Sequence, residues 1–343
     1  MPLAGYATIT LPNTAPPHTG TGAWHDDVVL TDDATLTNNG QLTIGQKISP
    51  GTRASHFLHD INLNNFELTL SGTGDTLIQS NILGSGNITI DLDTANSKVT
   101  YHTLYDRPGG NPTTYTGTTH VKSGILELNT LSGKRDAIVG DLIIGGAGAV
   151  AEVTRKSNVA NRQLIADTAH VLIREQGTFK LNRGNARNQS SQETIGALTL
   201  DGGTLMNATT SSKSTTLTVK NGLTLSSTST IKLGQGGMNL KFSDSSHLSW
   251  GNGQLIIEGY YHSNQGSNRK SRVSFGNNAT GLTSDQLGKI FFKNPNGSTG
   301  LWSSQINARG VLTPLVPIPE PGTLYAGAFS LLWCLRHFRK RKH

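Results

Sequence analysis

A pair of apolar residues flanking one polar residue recurs along this chain, and that recurrence limits the folds open to it. Phe179/Leu181, Leu198/Leu200 and Leu217/Val219 follow one another at 19-residue steps (198 − 179; 217 − 198). Upstream, Leu68/Leu70 and Ile88/Ile90 repeat the pattern at a step of 20 (88 − 68). Period-2 spacing places each pair on one face of a strand. Turn residues separate the strands, as in Asn38-Asn39-Gly40 between A-T-L-T and Q-L-T-I. One strand–turn–strand unit cannot bury both sides of its strands, whereas stacked units share a continuous core. The pattern therefore predicts an all-β chain, specifically a parallel β-helix with about one strand per face in each coil, right-handed by the general preference of parallel crossovers. An array of antiparallel hairpins in a β-sandwich is the competing fold.

Composition agrees with many short strands. Gly numbers 40, while aromatic residues are 6% and charged residues 15% of the chain, which suits a helix bundle badly. The formal net charge of +7 invites a nucleic-acid reading. Five Lys and Arg lie in 336–343 with no acid among them, so 7 − 5 leaves +2 on the rest. Asn268 to Arg272 is a small basic loop, and no nucleic-acid partner is expected. The single cysteine, Cys334, excludes a disulfide framework and reads as a plain apolar residue.

The end of the chain has three parts in order. Pro317, Pro319, Glu320 and Pro321 form an extended Pro-rich segment. Thr323 to Leu335 is an uncharged apolar run. Arg336, Arg339, Lys340, Arg341 and Lys342 form a basic terminus. An apolar helix followed by Lys and Arg is a stop-transfer pattern that keeps the basic end cytoplasmic. A helix over positions 323 to 335 would be roughly 20 Å long against a bilayer core of about 30 Å, short for a permanent single-pass anchor. Met1 to Ala23 has neither a basic nor an apolar leader region, and with an export-type tail the expectation is either a fragment or a misassigned start. The predicted organisation is an irregular segment (1–23), a β-helix (24–239), a C-terminal cap (240–310), a Pro-rich linker with the P-E-P motif (311–321), an apolar transmembrane-type helix (322–335) and a basic cytoplasmic end (336–343).

Two resemblances follow from these residues. The P-E-P motif at Pro319, Glu320 and Pro321, the apolar helix and the terminal Arg cluster together resemble the PEP-CTERM sorting tail of Gram-negative bacteria. That C-terminal domain is also named for ice-binding proteins. The resemblance implies an exosortase-type sorting protease as partner, passage through the membrane, and delivery to the cell surface or extracellular matrix. Second, T-Y-T-G-T-T-H-V-K-S-G-I-L-E-L at 114–128 resembles the autotransporter-associated β-strand repeat, with Tyr115, Gly117, Gly124, Val121, Leu126 and Leu128 on the family's positions. Thr118 stands where the family commonly has a second glycine, and His120 is unusual there. E-T-I-G-A-L-T-L-D-G-G-T-L at 193–205 is similar to the same family. This second resemblance implies a β-helical surface protein of passenger type.

Enzymatic constellations are absent from the sequence pattern. His25-Asp26-Asp27 and Asp32-Asp33 read as exposed turn acids. His56 and His59 beside Asp60 have a metal-compatible spacing, but in loop or strand context, and no cofactor is implied. Glu127, Glu152, Glu175 and Glu193 read as scattered over different coils, and Arg155, Lys156 and Arg174 as basic residues that a β-helix enzyme could gather on one face. Frequent outward Thr is expected to reflect β-propensity on a solvated face. The expectation is a non-enzymatic, structural or adhesive surface or matrix protein that contacts exopolysaccharide or cell-envelope glycans. A β-helix enzyme acting on polysaccharide is the first alternative and an ice-binding protein the second.

Overall fold

The computed structural model describes residues 8–11, 20–24, 27–45, 60–103, 114–130, 136–155, 163–182, 191–209, 215–234, 237–260 and 271–317. Among the described residues the fold is all-β, with one five-residue helix, Ser284–Gly288, and a 3-10 turn, Pro295–Gly297. Its strands form sheets of four, eight, thirteen and four strands. In its first circuits the chain visits three sheets in turn and then begins again. Asp27–Leu30, Ala34–Thr37 and Gln41–Gly45 make one such circuit, and Asp60–Asn62, Leu68–Gly72 and Asp75–Gln79 make the next. From Ser191–Ile195 onward the C-terminal four-stranded sheet takes the first position. Pairing between successive circuits is parallel, and in the longest sheet it runs from Thr21–Trp24 to Ile290–Lys293. Long parallel sheets built this way are compatible with a β-helix.

Strand parity explains the core. Val99, Leu126, Ala151, Phe179, Leu205, Ile231, Ile257 and Phe292 are successive cross-strand partners. Each is at most 3% exposed. Burying one large side chain of this kind stabilises the fold by about 1.5–3 kcal/mol, and the small Ala151 leaves room beside Phe179. The corners follow from the backbone. A Cβ at Gly117 would lie 1.9 Å from the carbonyl oxygen of Gly86 in the preceding circuit, so no larger residue fits this bend. Gly124, at the next bend, has φ +74°, a left-handed conformation that suits glycine. At one rung of the eight-stranded sheet, an acid or amide side chain ties alternate pairs of neighbouring strands together. Asp33 Oδ1 accepts from the Glu67 amide at 2.8 Å, and Asn87 Oδ1 from Thr118 at 2.9 Å. Asp141 Oδ1 accepts from His170 at 2.9 Å at the same rung.

The 19-residue recurrence has a different origin from the one predicted. Leu68/Leu70 and Ile88/Ile90 do pair, at a step of 20 (88 − 68). Phe179, Leu198 and Leu217, by contrast, lie in three different sheets. Their partners are Leu205, Leu223 and Leu240, at steps of 26 (205 − 179), 25 (223 − 198) and 23 (240 − 217). Many strands turn a like apolar pair inward, so pairs from different sheets look alike in sequence. Circuit length also varies, from a step of 19 (27 − 8) to one of 35 (290 − 255). Much of the variation falls in the connections 46–59, 104–113, 131–135, 156–162, 183–190, 210–214, 235–236 and 261–270. Each begins at or just past the end of a strand of the thirteen-stranded sheet, and all lie outside the described residues. By sequence these connections carry Lys and Arg repeatedly and one acid, Asp106.

Parallel stacking gives way to antiparallel pairing at the C-terminal side. Ile290–Lys293 pairs with Leu301–Ile306, which pairs with Leu312–Pro317. A capping box opens the helix: Thr283 Oγ1 accepts from the Gln286 amide at 3.2 Å and Gln286 Oε1 from the Thr283 amide at 2.8 Å. Among the described residues, no helix is long and apolar enough to cross a membrane. The apolar run 322–335 lies outside them, as do Pro319, Glu320, Pro321, Arg336, Arg339, Lys340, Arg341 and Lys342.

Candidate functional site on the outer face of the long sheet

Among the described residues, the outer face of the thirteen-stranded sheet carries the richest polar chemistry. Four adjacent strands, Lys98–Thr103, Ile125–Thr130, Val150–Arg155 and Thr178–Asn182, turn the same positions outward. Three cross-strand rows result. The first is Lys98, Ile125, Val150 and Thr178; the second Thr100, Glu127, Glu152 and Lys180; the third His102, Asn129, Thr154 and Asn182. Glu127 and Glu152 are direct partners, not scattered acids. Like charges set directly opposite destabilise a sheet unless compensated. Lys98 Nζ lies 2.8 Å from Glu127 Oε2, and Thr100 Oγ1 donates to the same oxygen at 3.4 Å. Asn182 Nδ2 donates to Glu152 Oε1 at 2.6 Å. The Glu127 carboxylate holds the Lys98 ammonium above its usual range, against the opposing effect of partial burial.

The third row is deeper than an outer face would suggest. Asn129 and Thr154 are each 5% exposed and Glu127 6%. Asn129 Oδ1 and Thr154 Oγ1 have no hydrogen-bond partner. A buried polar group left unpaired costs about 1–3 kcal/mol, so such atoms are few in folded proteins. Around this floor Lys98, Thr100, Glu152, Lys180 and Asn182 are half-buried and reachable from outside.

The other residues singled out by sequence have structural placements. Glu193 lies in the strand Ser191–Ile195 and points inward at 1% exposure. Its Oε1 accepts from the amides of Leu164 at 3.1 Å and Ile165 at 3.0 Å. Glu175 occupies a turn at φ +49°. Asp27 Oδ1 accepts from the Asp60 amide at 2.9 Å, and Asp60 Oδ1 from Asn81 Nδ2 at 3.0 Å. Asp32 Oδ1 accepts from the Asp33 amide at 2.8 Å. Arg174 belongs to the eight-stranded sheet, so it does not share a face with Glu127 and Glu152. His25, Asp26, His56, His59 and Lys156 lie outside the described residues. Among the described residues, no three or more His, Cys, Asp or Glu cluster to hold a metal ion. A hollow of about 380 Å³ between turns is lined by Asn39, Gln41, Thr73, Asp75, Asn96, Ser97 and neighbours. There Asp75 Oδ1 is engaged by the Lys98 amide at 2.9 Å.

The outer face of the eight-stranded sheet is different. Its central row reads Thr35, Thr69, Thr89, His120, Ile143, Leu172, Thr199 and Thr224. The threonine rank is thus broken by His120, Ile143 and Leu172. Thr89 is turned to Glu67 Oε1 at 2.5 Å. Burial, with Arg174 and Lys122 nearby, holds His120 below the usual histidine range. Tyr115 is fully buried with its hydroxyl on Thr119, and burial pushes its phenol above the usual range.

Lys98, Asn129, Thr154, Lys180 and Asn182 did not stand out in sequence. Their signal is the parallel between I-L-E-L-N at 125–129 and V-A-E-V-T at 150–154, visible only once those strands are set in register. No family model, curated protein or solved structure matches the chain.

Proposed function

We propose that the chain is an exported surface or matrix protein, non-enzymatic and structural or adhesive, built as a right-handed parallel β-helix. Its task is to present a continuous sheet face to exopolysaccharide or cell-envelope glycans. The tail at Pro319–Pro321, the apolar run and the basic cluster Arg336–Lys342 serve as a PEP-CTERM-type sorting signal read by an exosortase-type protease. The protein crosses the membrane there at least transiently, with its basic end in the cytoplasm. The observation that supports this reading most is the parallel stacking from Thr21–Trp24 to Ile290–Lys293, which gives a long regular outer surface. The tail composition supports the sorting half of it. The experiment is deletion of Pro319–His343 in a Gram-negative host that carries an exosortase. The expected result is loss of surface attachment, with the protein appearing in the medium or retained in the periplasm. Unchanged surface attachment of the deletion variant would sink the sorting role.

A second reading is favoured by one observation, the pairing of Glu127 with Glu152. Two carboxyl groups flanking a sugar linkage are what glycoside hydrolysis requires. Both are committed to Lys98 and Asn182, which favours the binding role over catalysis. Release of new reducing ends from polysaccharide by the wild type, lost in Glu152→Gln, would reverse that preference.

A further inference from the structure

We infer that the outer face spanning Lys98–Thr103 to Thr178–Asn182 binds an uncharged, hydroxyl-rich polysaccharide segment. The inference rests on the surface-protein reading and names the partner of its long sheet. The floor of this face holds two acceptors with nothing to accept from, Asn129 Oδ1 and Thr154 Oγ1, side by side on neighbouring strands. Both residues are only 5% exposed, yet strand parity turns them outward, on the same side as Glu127 and Glu152. Neither atom has a hydrogen-bond partner in the protein.

The charges around them identify the class of ligand. Within this patch Glu127 is balanced by Lys98 at 2.8 Å, and Lys180 stands directly beside Glu152 in the next strand. A cationic polymer would meet two ammonium groups and an anionic one two carboxylates. A neutral ligand meets neither penalty and finds donors and acceptors already oriented. Hydroxyl groups both donate and accept, so one sugar hydroxyl can donate to Asn129 Oδ1 and another exchange with Thr154 Oγ1. Ile125 and Val150, half-buried and outward in the first row, supply an apolar ledge for the C–H face of a sugar ring. With strands about 4.8 Å apart and alternate residues about 6.7 Å apart, the patch measures roughly 14 by 13 Å, room for a short run of sugar units.

The test uses the full chain and named probes. Dextran, cellohexaose and galactomannan are the neutral arm; polygalacturonate and chitosan are the charged arm. Binding is read by calorimetry at low salt and again at about 0.5 M NaCl, which screens exposed charges strongly. The expected result is binding of at least one neutral probe that survives the salt. Asn129→Leu combined with Thr154→Val should weaken it at least about tenfold with the melting temperature unchanged within about 2 °C. Asn182→Ala, at the rim, should weaken it less. Three outcomes would overturn the inference: no neutral probe binds, only charged probes bind, or the double variant binds as well as wild type. If the tail deletion behaves as proposed while any of these is seen, the inference about this face falls alone and the surface-protein reading stands.

Discussion

Glutamate occupies two opposite settings in this protein. Glu193 points into the core, where its carboxyl group receives the amides of Leu164 and Ile165. Glu127 and Glu152 point out, one against Lys98 and the other against Asn182. Residue type is the same in all three, and the parity of the position within its strand decides the role. Inside, the carboxyl group completes backbone hydrogen bonds where the chain passes from the 163–165 segment to the C-terminal four-stranded sheet. Outside, it belongs to a face whose polar groups are only partly satisfied by the protein itself. An inward polar group is therefore expected to govern stability and an outward one to govern binding.

The largest effect that bears on this contrast belongs to Asn207, which is inward and 2% exposed. Its Nδ2 donates to the carbonyls of Leu233 at 3.0 Å and Gly237 at 2.9 Å, and its Oδ1 accepts from the Thr209 amide at 3.1 Å. Asn207→Leu should lower the free energy of unfolding by about 3 kcal/mol, since three buried backbone groups lose a partner. A loss well under about 1 kcal/mol by urea titration would break the inside half of the comparison. The smallest effect belongs to His120, outward on the eight-stranded sheet. Its pKa is depressed in the folded state, so the unfolded chain binds the proton more readily. The stability it contributes is full above the ordinary histidine value of about 6.5 and is lost as pH falls through the folded value. His120→Gln should therefore flatten the decline in melting temperature between about pH 7 and pH 5, by about 1 to 3 °C. A variant with the same acid sensitivity as wild type would show that other groups carry it.

Strand content and facing were largely legible in sequence. Pairs such as Leu68/Leu70 and Ile88/Ile90 announce an inward row, and they do pair. Gly117 and Gly124, which match the repeat family's positions in sequence, stand at corners where a Cβ is either blocked or strained. Register was not legible. Phe179, Leu198 and Leu217 keep an even spacing but sit in three sheets, because the inward pair recurs in strands of all of them and does not name its sheet. The outer site was hidden for the same reason. Glu127 and Glu152 are cross-strand partners, but no fixed period links them, because the length of a circuit changes along the chain and spacing alone could not pair them. Glu193 was hidden by its opposite parity: the strand Ser191–Ile195 reads as polar at its start, although Glu193 shares the inward row with Leu217 and Leu240.

Glu193→Gln and Glu152→Gln, compared by equilibrium urea unfolding under one set of conditions, test the parity account most directly. Glutamine at 193 sets an amide NH₂ among backbone donors in the core, and the expected loss is about 2 kcal/mol. At 152 the change relieves the like-charge pair with Glu127 while weakening one hydrogen bond, and the expected change is within about 0.5 kcal/mol. Equal losses at the two positions, or a larger loss at 152, would contradict the account.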